Sequence, residues 1–401
     1  IAGCMEAKCV RDEMRAYLDA PIDRRGTHCE KWDGLERHYG NKDLLAMWVA
    51  DMDFRTVPQV RDALVSRAEH AIYGYTDNGE EDRRVEADWL LRRHGLAVEP
   101  QWILYSPGVV DSLFFCVSAF TDESDAVLIQ PPVYGPFYWA AELFGRKLVY
   151  NRLTLDEGGW HMDYADLEAK FSAGVKLMIL CSPHNPVGRV WTREELQRVV
   201  DLANEYGVVL ISDEIHADFT LDGRRQTRIL SLENAERCVM LTSATKSFNL
   251  AGLRQSSAIV PDKGMRAALH AAMRRSHATD ANIFGAIAQT AAYTYGDEWM
   301  DAVVEYVQEN RDYAVSFLRE NLPEIGCRPP EGTYLMWLDF NGLGMEHDEV
   351  KRLLVDEARV AMNEGTFFGK EARGWFRMNL ATQRANVVRT LDNLRNAIRS
   401  K

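Results

Sequence analysis

No paired-cysteine motif, no bilayer-length apolar run and no basic stripe occurs in this sequence, and each absence removes a class of protein. The seven cysteines, at positions 4, 9, 29, 116, 181, 238 and 327, are odd in number, scattered and never spaced as C-x-x-C. Neither a zinc site nor a dithiol redox motif is expected of them. They read instead as small buried hydrophobes of a reducing compartment. Apolar stretches such as Val208-Val-Leu-Ile211 are far too short to span a bilayer, and the first thirty residues hold no signal-peptide core, so the cytoplasm is the default address. Lys and Arg number 47 against 60 Asp and Glu, a formal net charge of −13, with no basic face to grip nucleic-acid phosphates. Internal repeats, low-complexity tracts and long Pro/Gly linkers are missing too, so any second domain must be woven from separated segments.

What remains is a 401-residue chain with 46% hydrophobic residues, enough for a large core and for two or three domains. Short apolar runs rich in β-formers occur at Val127–Gln130, Lys147–Tyr150, Leu177–Leu180, Val208–Ile211, Val239–Leu241 and Ser257–Val260. Each is long enough for one buried strand. Helical stretches lie between them. Thr192-Arg-Glu-Glu195 has capping-box spacing, opening a helix towards Tyr206 that Gly207 closes. Strands apolar at every position, alternating with helices, predict an α/β domain built on a mostly parallel sheet covered on both faces. From Glu298 the texture changes to one long amphipathic helix, a strand-like Thr333–Leu338, and helical patterns near 347–358 and 386–398. These predict a smaller α+β domain. The expected division is an upstream extension at 1–13, an N-terminal segment 14–60 that joins the small domain, a large domain 61–297 and a small domain 298–401. A packed element before Met14 would contradict the first of these boundaries.

In an open parallel sheet, ligands bind beyond the carboxyl ends of the strands, so the residues just after each apolar run are candidates for chemistry. Leu177–Leu180 leads into Cys181-Ser-Pro-His-Asn-Pro-Val-Gly188, which sets Asn185 between prolines. Val208–Ile211 leads into Ser212-Asp-Glu-Ile-His216, with Asp213 at the strand end. Leu104-Tyr105 leads into Ser106-Pro-Gly108 and a helical run from Val109 to Phe120, whose first backbone N–H groups could hold an anion. Lys246 lies in Ser243-Ala-Thr-Lys-Ser-Phe-Asn-Leu-Ala-Gly-Leu-Arg254 and is the only charged residue between Ala244 and Leu253. Those neighbours suit either a reactive amine or a quiet strand-to-helix turn.

The order and spacing of Asn185, Asp213, Lys246 and Arg377 resemble those of fold-type I pyridoxal phosphate enzymes, the aspartate aminotransferase superfamily. The stretches Trp48-Val-Ala-Asp-Met-Asp-Phe54, Tyr73-Gly-Tyr75, Gln130-Pro-Pro-Val-Tyr134, Ser182–Trp191 and Ser212–His216 look like the MalY/PatB-type cystathionine β-lyases within it. The likeness runs from about Ile22 to the C-terminus. It implies the cofactor pyridoxal 5′-phosphate, bound covalently by Lys246, which also serves as the base at the substrate α-carbon. It further implies that Asp213 faces the ring nitrogen, Asn185 the phenolic oxygen and the substrate, and Tyr134 the ring face. His216 is either near the phenolic oxygen or a core histidine satisfied locally. Gly108, Val109, Ser243 and Arg254 would hold the phosphate, joined by Tyr75 from the second subunit of a homodimer with shared active sites. Arg377 would grip the substrate carboxylate, as a planar fork suits.

The same resemblance implies β-elimination: cleavage of the C–S bond of L-cystathionine or another cysteine S-conjugate to a thiol such as homocysteine, pyruvate and ammonia, with Lys246, Asp213 and Tyr75 as the catalytic set. Arg254 stands eight residues after the lysine, where aminotransferases of the superfamily commonly carry arginine and the lyases often do not, so a class I/II aminotransferase is the alternative. Some proteins of this branch also look like regulators that bind a protein partner, which adds a possible second role. No metal, nucleic acid or membrane is expected.

Overall fold

The apolar runs in the middle of the chain come together as one sheet of seven strands: β1 (Ile103–Ser106), β2 (Ala126–Ile129), β3 (Lys147–Tyr150), β4 (Val175–Cys181), β5 (Val209–Asp213), β6 (Cys238–Thr242) and β7 (Ser256–Ile259). This computed structural model describes the backbone of residues 2–400 and the side chains of residues 11–400. Strand order is β1-β7-β6-β5-β4-β2-β3; β7 runs antiparallel to both its neighbours and every other pair is parallel. Leu177 to Cys181 are buried without a break, so both faces of β4 are covered. On one face Val127, Ile129, Leu177, Ile179, Ile211, Val239 and Leu241 pack into a core with residues of the helices Val109–Phe120, Pro136–Glu142 and Lys263–Arg275. Their spacing of two along each strand is what puts them on the same side.

β3 coincides with its expected run, and β2, β4, β5, β6 and β7 differ from theirs by two or three residues in all. β1 goes beyond the expected set. It is an edge strand paired only with β7, and its Leu104 and Tyr105 are half-buried, so it carries little apolar signal. Thr192 caps the helix Arg193–Tyr206 as its spacing predicts: Thr192 Oγ1 accepts from the Glu195 N–H at 3.2 Å, and the Glu195 carboxylate accepts from the Thr192 N–H at 2.8 Å. Gly207, at φ 67°, ends it in the left-handed conformation.

The sheet belongs to one compact unit, residues 56–185 and 189–297. The other unit contains the residues up to Arg55, the tripeptide Pro186–Gly188 and everything from Glu298 onward. Its sheet is antiparallel, with β8 (Gly326–Cys327), β9 (Leu335–Asp339), β10 (Asn363–Glu364) and β11 (Trp375–Asn379) in the order β8-β9-β11-β10. The long helix Asp297–Asn321 buries Trp299, Met300, Val303, Val307, Ala314 and Leu318, the stripe its periodicity predicts. The helix expected at 347–358 is α-helical only over His347–Arg352. It then widens over Leu353–Glu357, where the Ala358 N–H reaches the Leu353 carbonyl five residues back. Gly188 is needed where it stands: at φ 75°, a Cβ would lie 2.6 Å from the Pro330 side chain.

A helix runs unbroken from Ala2 to Asp19, across the expected boundary at Met14. Arg11 and Arg15, one turn apart, pair with Glu305 at 3.5 Å and Glu309 at 2.6 Å, themselves one turn apart, and Leu18 is buried. Matching helical periods dock the two helices and carry the element through Met14. The side chains of residues 1–10, which that expectation also covers, lie outside the described residues. Among the described residues no helix is long and apolar enough to cross a membrane.

Candidate active site

Asp213 ends β5 in register with Cys181 of β4 on one side and Leu241 of β6 on the other. Neighbouring strands lie about 4.8 Å apart, so the segments that follow these residues run along one edge of the sheet. The ladder continues one step past the strands, with the Ser182 N–H donating to the Asp213 carbonyl at 2.9 Å and the Glu214 N–H to the Leu241 carbonyl at 2.8 Å. Asn185, His216, Ser243 and Lys246 follow within a few residues. β2 delivers Gln130 to Tyr134 to the same edge, and β1 delivers Gly108 and Val109. Because β7 is antiparallel, its amino end brings Arg254 and Gln255 there as well. From β2 the chain moves outward to β3, whereas from β4 it moves the other way through β5 and β6. The crevice where the direction reverses is therefore bordered by the loops carrying Tyr134 and Asn185.

Asp213 is buried, and its Oδ1 accepts from the Ile215 N–H at 3.1 Å. Loss of solvent pushes its carboxyl up to about 7; the Ile215 hydrogen bond and the charge of Lys246 oppose that rise, and Glu214 adds to it. Lys246 is half-buried on the one-turn helix Ala244–Ser247, which Ser243 caps through a 3.0 Å bond from the Thr245 N–H. Asn185 is buried, with its N–H on Cys181 Sγ at 3.3 Å. Tyr134 is half-buried against the core of the sheet. His216 is buried in the turn after β5, its carbonyl accepting from the Phe219 N–H. The edge thus holds an amine, a carboxyl that resists ionisation, an amide and an aromatic ring.

The expected anion donors are gathered at the other end of this edge. Gly108 is the N-cap of the helix Val109–Phe120, whose first N–H groups lack helical partners. Ser106 ties the turn together, its hydroxyl 2.6 Å from that of Ser112 and 2.7 Å from that of Ser256. Two of the expected donors are already engaged. Ser243 Oγ donates to the Gln255 carbonyl at 2.7 Å, and Arg254 Nη2 donates to Asp111 Oδ2 at 2.9 Å. An anion held by Ser243 Oγ has to take its one hydroxyl proton from the Gln255 carbonyl, whereas Arg254 has further N–H groups besides the one on Asp111. Tyr75 is not gathered with the others in a single chain: it is fully exposed, as Ile72 and Tyr73 largely are. A cavity of about 280 Å³ lies beside this segment, lined by Thr76, Asn78, Ser106, Arg254 and Gln255 among others. Neither Lys246 nor Asp213 lines it, so the reactive groups lie elsewhere.

Arg377 belongs to the other unit, on β11. That strand is not an edge strand but lies between β9 and β10, opposite Trp337 and Asn363. Its side chain is buried, with Nη2 donating to Asn363 Oδ1 at 2.6 Å and to the Trp48 carbonyl at 3.1 Å, and its guanidinium 4.9 Å from the Phe368 ring centre. Asn379, two residues on, donates to the carbonyls of Val49 and Asp51 at 2.6 Å each. Arg24 and Lys31 pair with Asp53, at 2.9 and 2.7 Å. The Trp48–Phe54 stretch is thus pinned beside Arg377 within this unit. Sequence reasoning missed Asn363, Asn379 and Asp111; only Asp111, an acid in the first turn after Ser106-Pro-Gly108, left a local signal.

The sequence pattern of the aminotransferase class I and II family matches residues 42–394. The chain is 38% identical to cystathionine β-lyase PatB of Bacillus subtilis over 384 residues, 95% of this chain and 99% of that one. It is 32% identical to Protein MalY of Escherichia coli over 382 residues, 94% of this chain and 98% of that one. Its fold is similar to that of cystalysin from Treponema denticola, a crystal structure containing pyridoxal 5′-phosphate, with a TM-score of 0.92, 30% identity, and coverage of 96% of this chain and 98% of that one.

Proposed function

The chain belongs to the class I and II aminotransferase family, and on that premise we propose that it is a pyridoxal 5′-phosphate-dependent carbon–sulfur β-lyase. Its substrate is L-cystathionine or a related cysteine S-conjugate; its products, with water consumed, are the thiol, pyruvate and ammonia. The observation that carries the choice of reaction is that likeness to a cystathionine β-lyase extends over nearly the whole of both chains. The cofactor fits the residues on the sheet edge. A buried carboxyl raised to about 7 by loss of solvent is relieved by a cationic ring nitrogen, and a helix N-terminus flanked by serines suits a phosphate dianion.

Bound at this edge, pyridoxal phosphate supplies an electron sink for the carbanion character that develops at the substrate α-carbon. Lys246 would hold the cofactor through its amine, and that amine would take the proton from the substrate α-carbon and give a proton to the departing sulfur. Asp213 keeps the ring nitrogen protonated. Asn185 would donate to the phenolic oxygen, Tyr134 would cover the ring, and His216 would lie near that oxygen. Gly108 and Val109 N–H groups, Ser243 and Arg254 would hold the phosphate, Ser243 in place of its bond to the Gln255 carbonyl and Arg254 with N–H groups besides the one on Asp111. Arg377 orients the substrate carboxylate, with Asn185 assisting.

Tyr75 acts across a homodimer in this reading. Ile72, Tyr73 and Tyr75 expose three large apolar side chains within four residues, a patch that a second copy would cover, and Tyr75 would then reach the partner's phosphate. Cys29, Cys116, Cys181, Cys238 and Cys327 are free thiols, which suits the cytoplasm. The aminotransferase alternative keeps one observation in its favour, Arg254. A separate regulatory binding role has no supporting observation and is not carried further. Incubating the holo-protein with L-cystathionine and no keto acid is expected to release pyruvate catalytically; turnover only on addition of 2-oxoglutarate or pyruvate would overturn the lyase reading.

A further inference from the structure

Three residues of the proposed site are each next in sequence to a residue that reaches into one buried charged cluster. Glu214 follows Asp213, Thr242 precedes Ser243, and Ser247 follows Lys246. Arg228 is the hub: 2% exposed, it sets Nε 2.8 Å from Glu214 Oε2 and donates from Nη2 to Thr242 Oγ1 at 3.2 Å. The second Glu214 oxygen accepts from the Ser212 hydroxyl at 2.9 Å and from the Ile229 N–H at 2.8 Å. Asp218 accepts from the Ser247 hydroxyl and from His94 Nε2, the latter at 2.8 Å. The charge of Arg228 is felt by Asp218, His94 and Glu86 alike. Burial opposes the charge of Asp218, yet its donors and the nearby cations hold it down to about 2. A neutral His94 protonated at Nε2 satisfies that bond.

Such a cluster is a costly way to fill a core. Each ion taken out of water costs several kcal/mol before its partners offset it, and apolar side chains of the same volume often serve stability as well or better. What the ions add is direction, because paired charges fix the groups that carry them. Here those groups are the backbone steps on either side of the ring-nitrogen carboxyl, the capping serine and the lysine.

We propose that Arg228 is a positioning residue of the active site, acting through Glu214 on Asp213 and through Thr242 on Ser243, while the His94–Asp218–Ser247 chain fixes the turn that carries Lys246. The proposal rests on the lyase reading, and its test separates the two. Full-length R228M and E214Q/R228M are compared with the parent for thermal stability, cofactor dissociation followed by visible absorption, kcat and KM. R228M strands the Glu214 carboxylate and loses both stability and cofactor. The double variant removes both charges and is expected to melt close to the parent, yet to bind cofactor roughly tenfold or more weakly, about 1.4 kcal/mol, with kcat lowered and KM little changed. A double variant that matches the parent in cofactor affinity and kcat overturns the role of Arg228. S247A, which removes a hydroxyl and no charge, keeps the idea testable if the Arg228 variants do not fold. It is expected to shift the pH midpoint of the bound cofactor's visible band, and an unmoved midpoint overturns the Lys246 branch. A parent that binds no cofactor would instead refute the reading beneath.

Discussion

Asp213→Asn is expected to stabilise the cofactor-free protein at neutral pH while abolishing its chemistry. Burial raises the Asp213 carboxyl from 3.8 to about 7. At about 1.4 kcal/mol per unit, the folded state gives up on the order of 4 kcal/mol to ionise it. The sign follows from proton counting. An unfolded Asp213 ionises near 3.8 and the folded one near 7, so between those values folding takes up a proton. The contribution of Asp213 to stability is therefore fully present below 3.8, falls as pH rises, and has gone once pH passes about 7. Asparagine keeps the acceptor for the Ile215 N–H and never ionises, so its stability lacks this slope. Glu86, also raised to about 7 by burial, and Glu214 are common to both proteins and drop out of the difference. Urea unfolding of the cofactor-free pair from about pH 4 to pH 8 should show the variant gaining roughly 1.4 kcal/mol per pH unit on the parent before levelling off. Saturating pyridoxal phosphate should reverse the gain, because a cationic ring nitrogen favours the carboxylate. Stability curves that stay parallel across that range would refute the reasoning.

Arg377→Lys keeps the charge but loses the fork, and with it about one charge-assisted hydrogen bond of 1.5–3 kcal/mol; kcat/KM should fall roughly 10- to 150-fold with cofactor affinity unchanged, as steady-state kinetics and visible absorption would report. Thr192→Ala removes one arm of the capping box on Arg193–Tyr206 and should cost about 1 kcal/mol in urea unfolding without altering kcat. Mixing two inactive variants, Tyr75→Ala and Lys246→Ala, should restore activity by forming hybrid dimers with one intact site; no restoration after exchange of subunits would remove Tyr75 from a shared site.

What could be read beforehand was what leaves a local trace. The runs that became β2, β4, β5, β6 and β7 are buried on both faces, and the Thr192 box and Gly207 mark a helix from within a few residues of its ends. β1 left less, its Leu104 and Tyr105 being only half-buried. The helix Ala2–Asp19 was hidden for a different reason: its docking depends on Glu305 and Glu309, almost three hundred residues away. Pairings at such separations have no sequence period. Arg254 with Asp111 and Arg377 with the Trp48 carbonyl are of this kind. The candidate residues could therefore be named from strand ends and resemblance, whereas their present partners could not. That difference matters for Ser243, whose hydroxyl proton is already in use, and for Arg254, one of whose N–H groups is.

Three acids follow one another out of β5, and their surroundings treat them differently. Glu214 is pushed up by burial but faces the Arg228 guanidinium at 2.8 Å and takes two further hydrogen bonds. Asp218 is buried as deeply and is held as a carboxylate by His94 and Ser247. Asp213 has one backbone N–H and the charge of Lys246, and these leave it near 7. Had the fold needed only to accommodate an acid at the strand end, Arg228 or His94 could have served Asp213 as they serve its neighbours. The Arg228 cation and the His94 N–H donor are instead directed at the acids beside it, which leaves Asp213 as the group with most to gain from a ligand. A buried carboxyl left short of a partner, next to two that are not, is the arrangement in which binding a cation yields the largest gain, and it supports the proposal that the cofactor's ring nitrogen sits against Asp213.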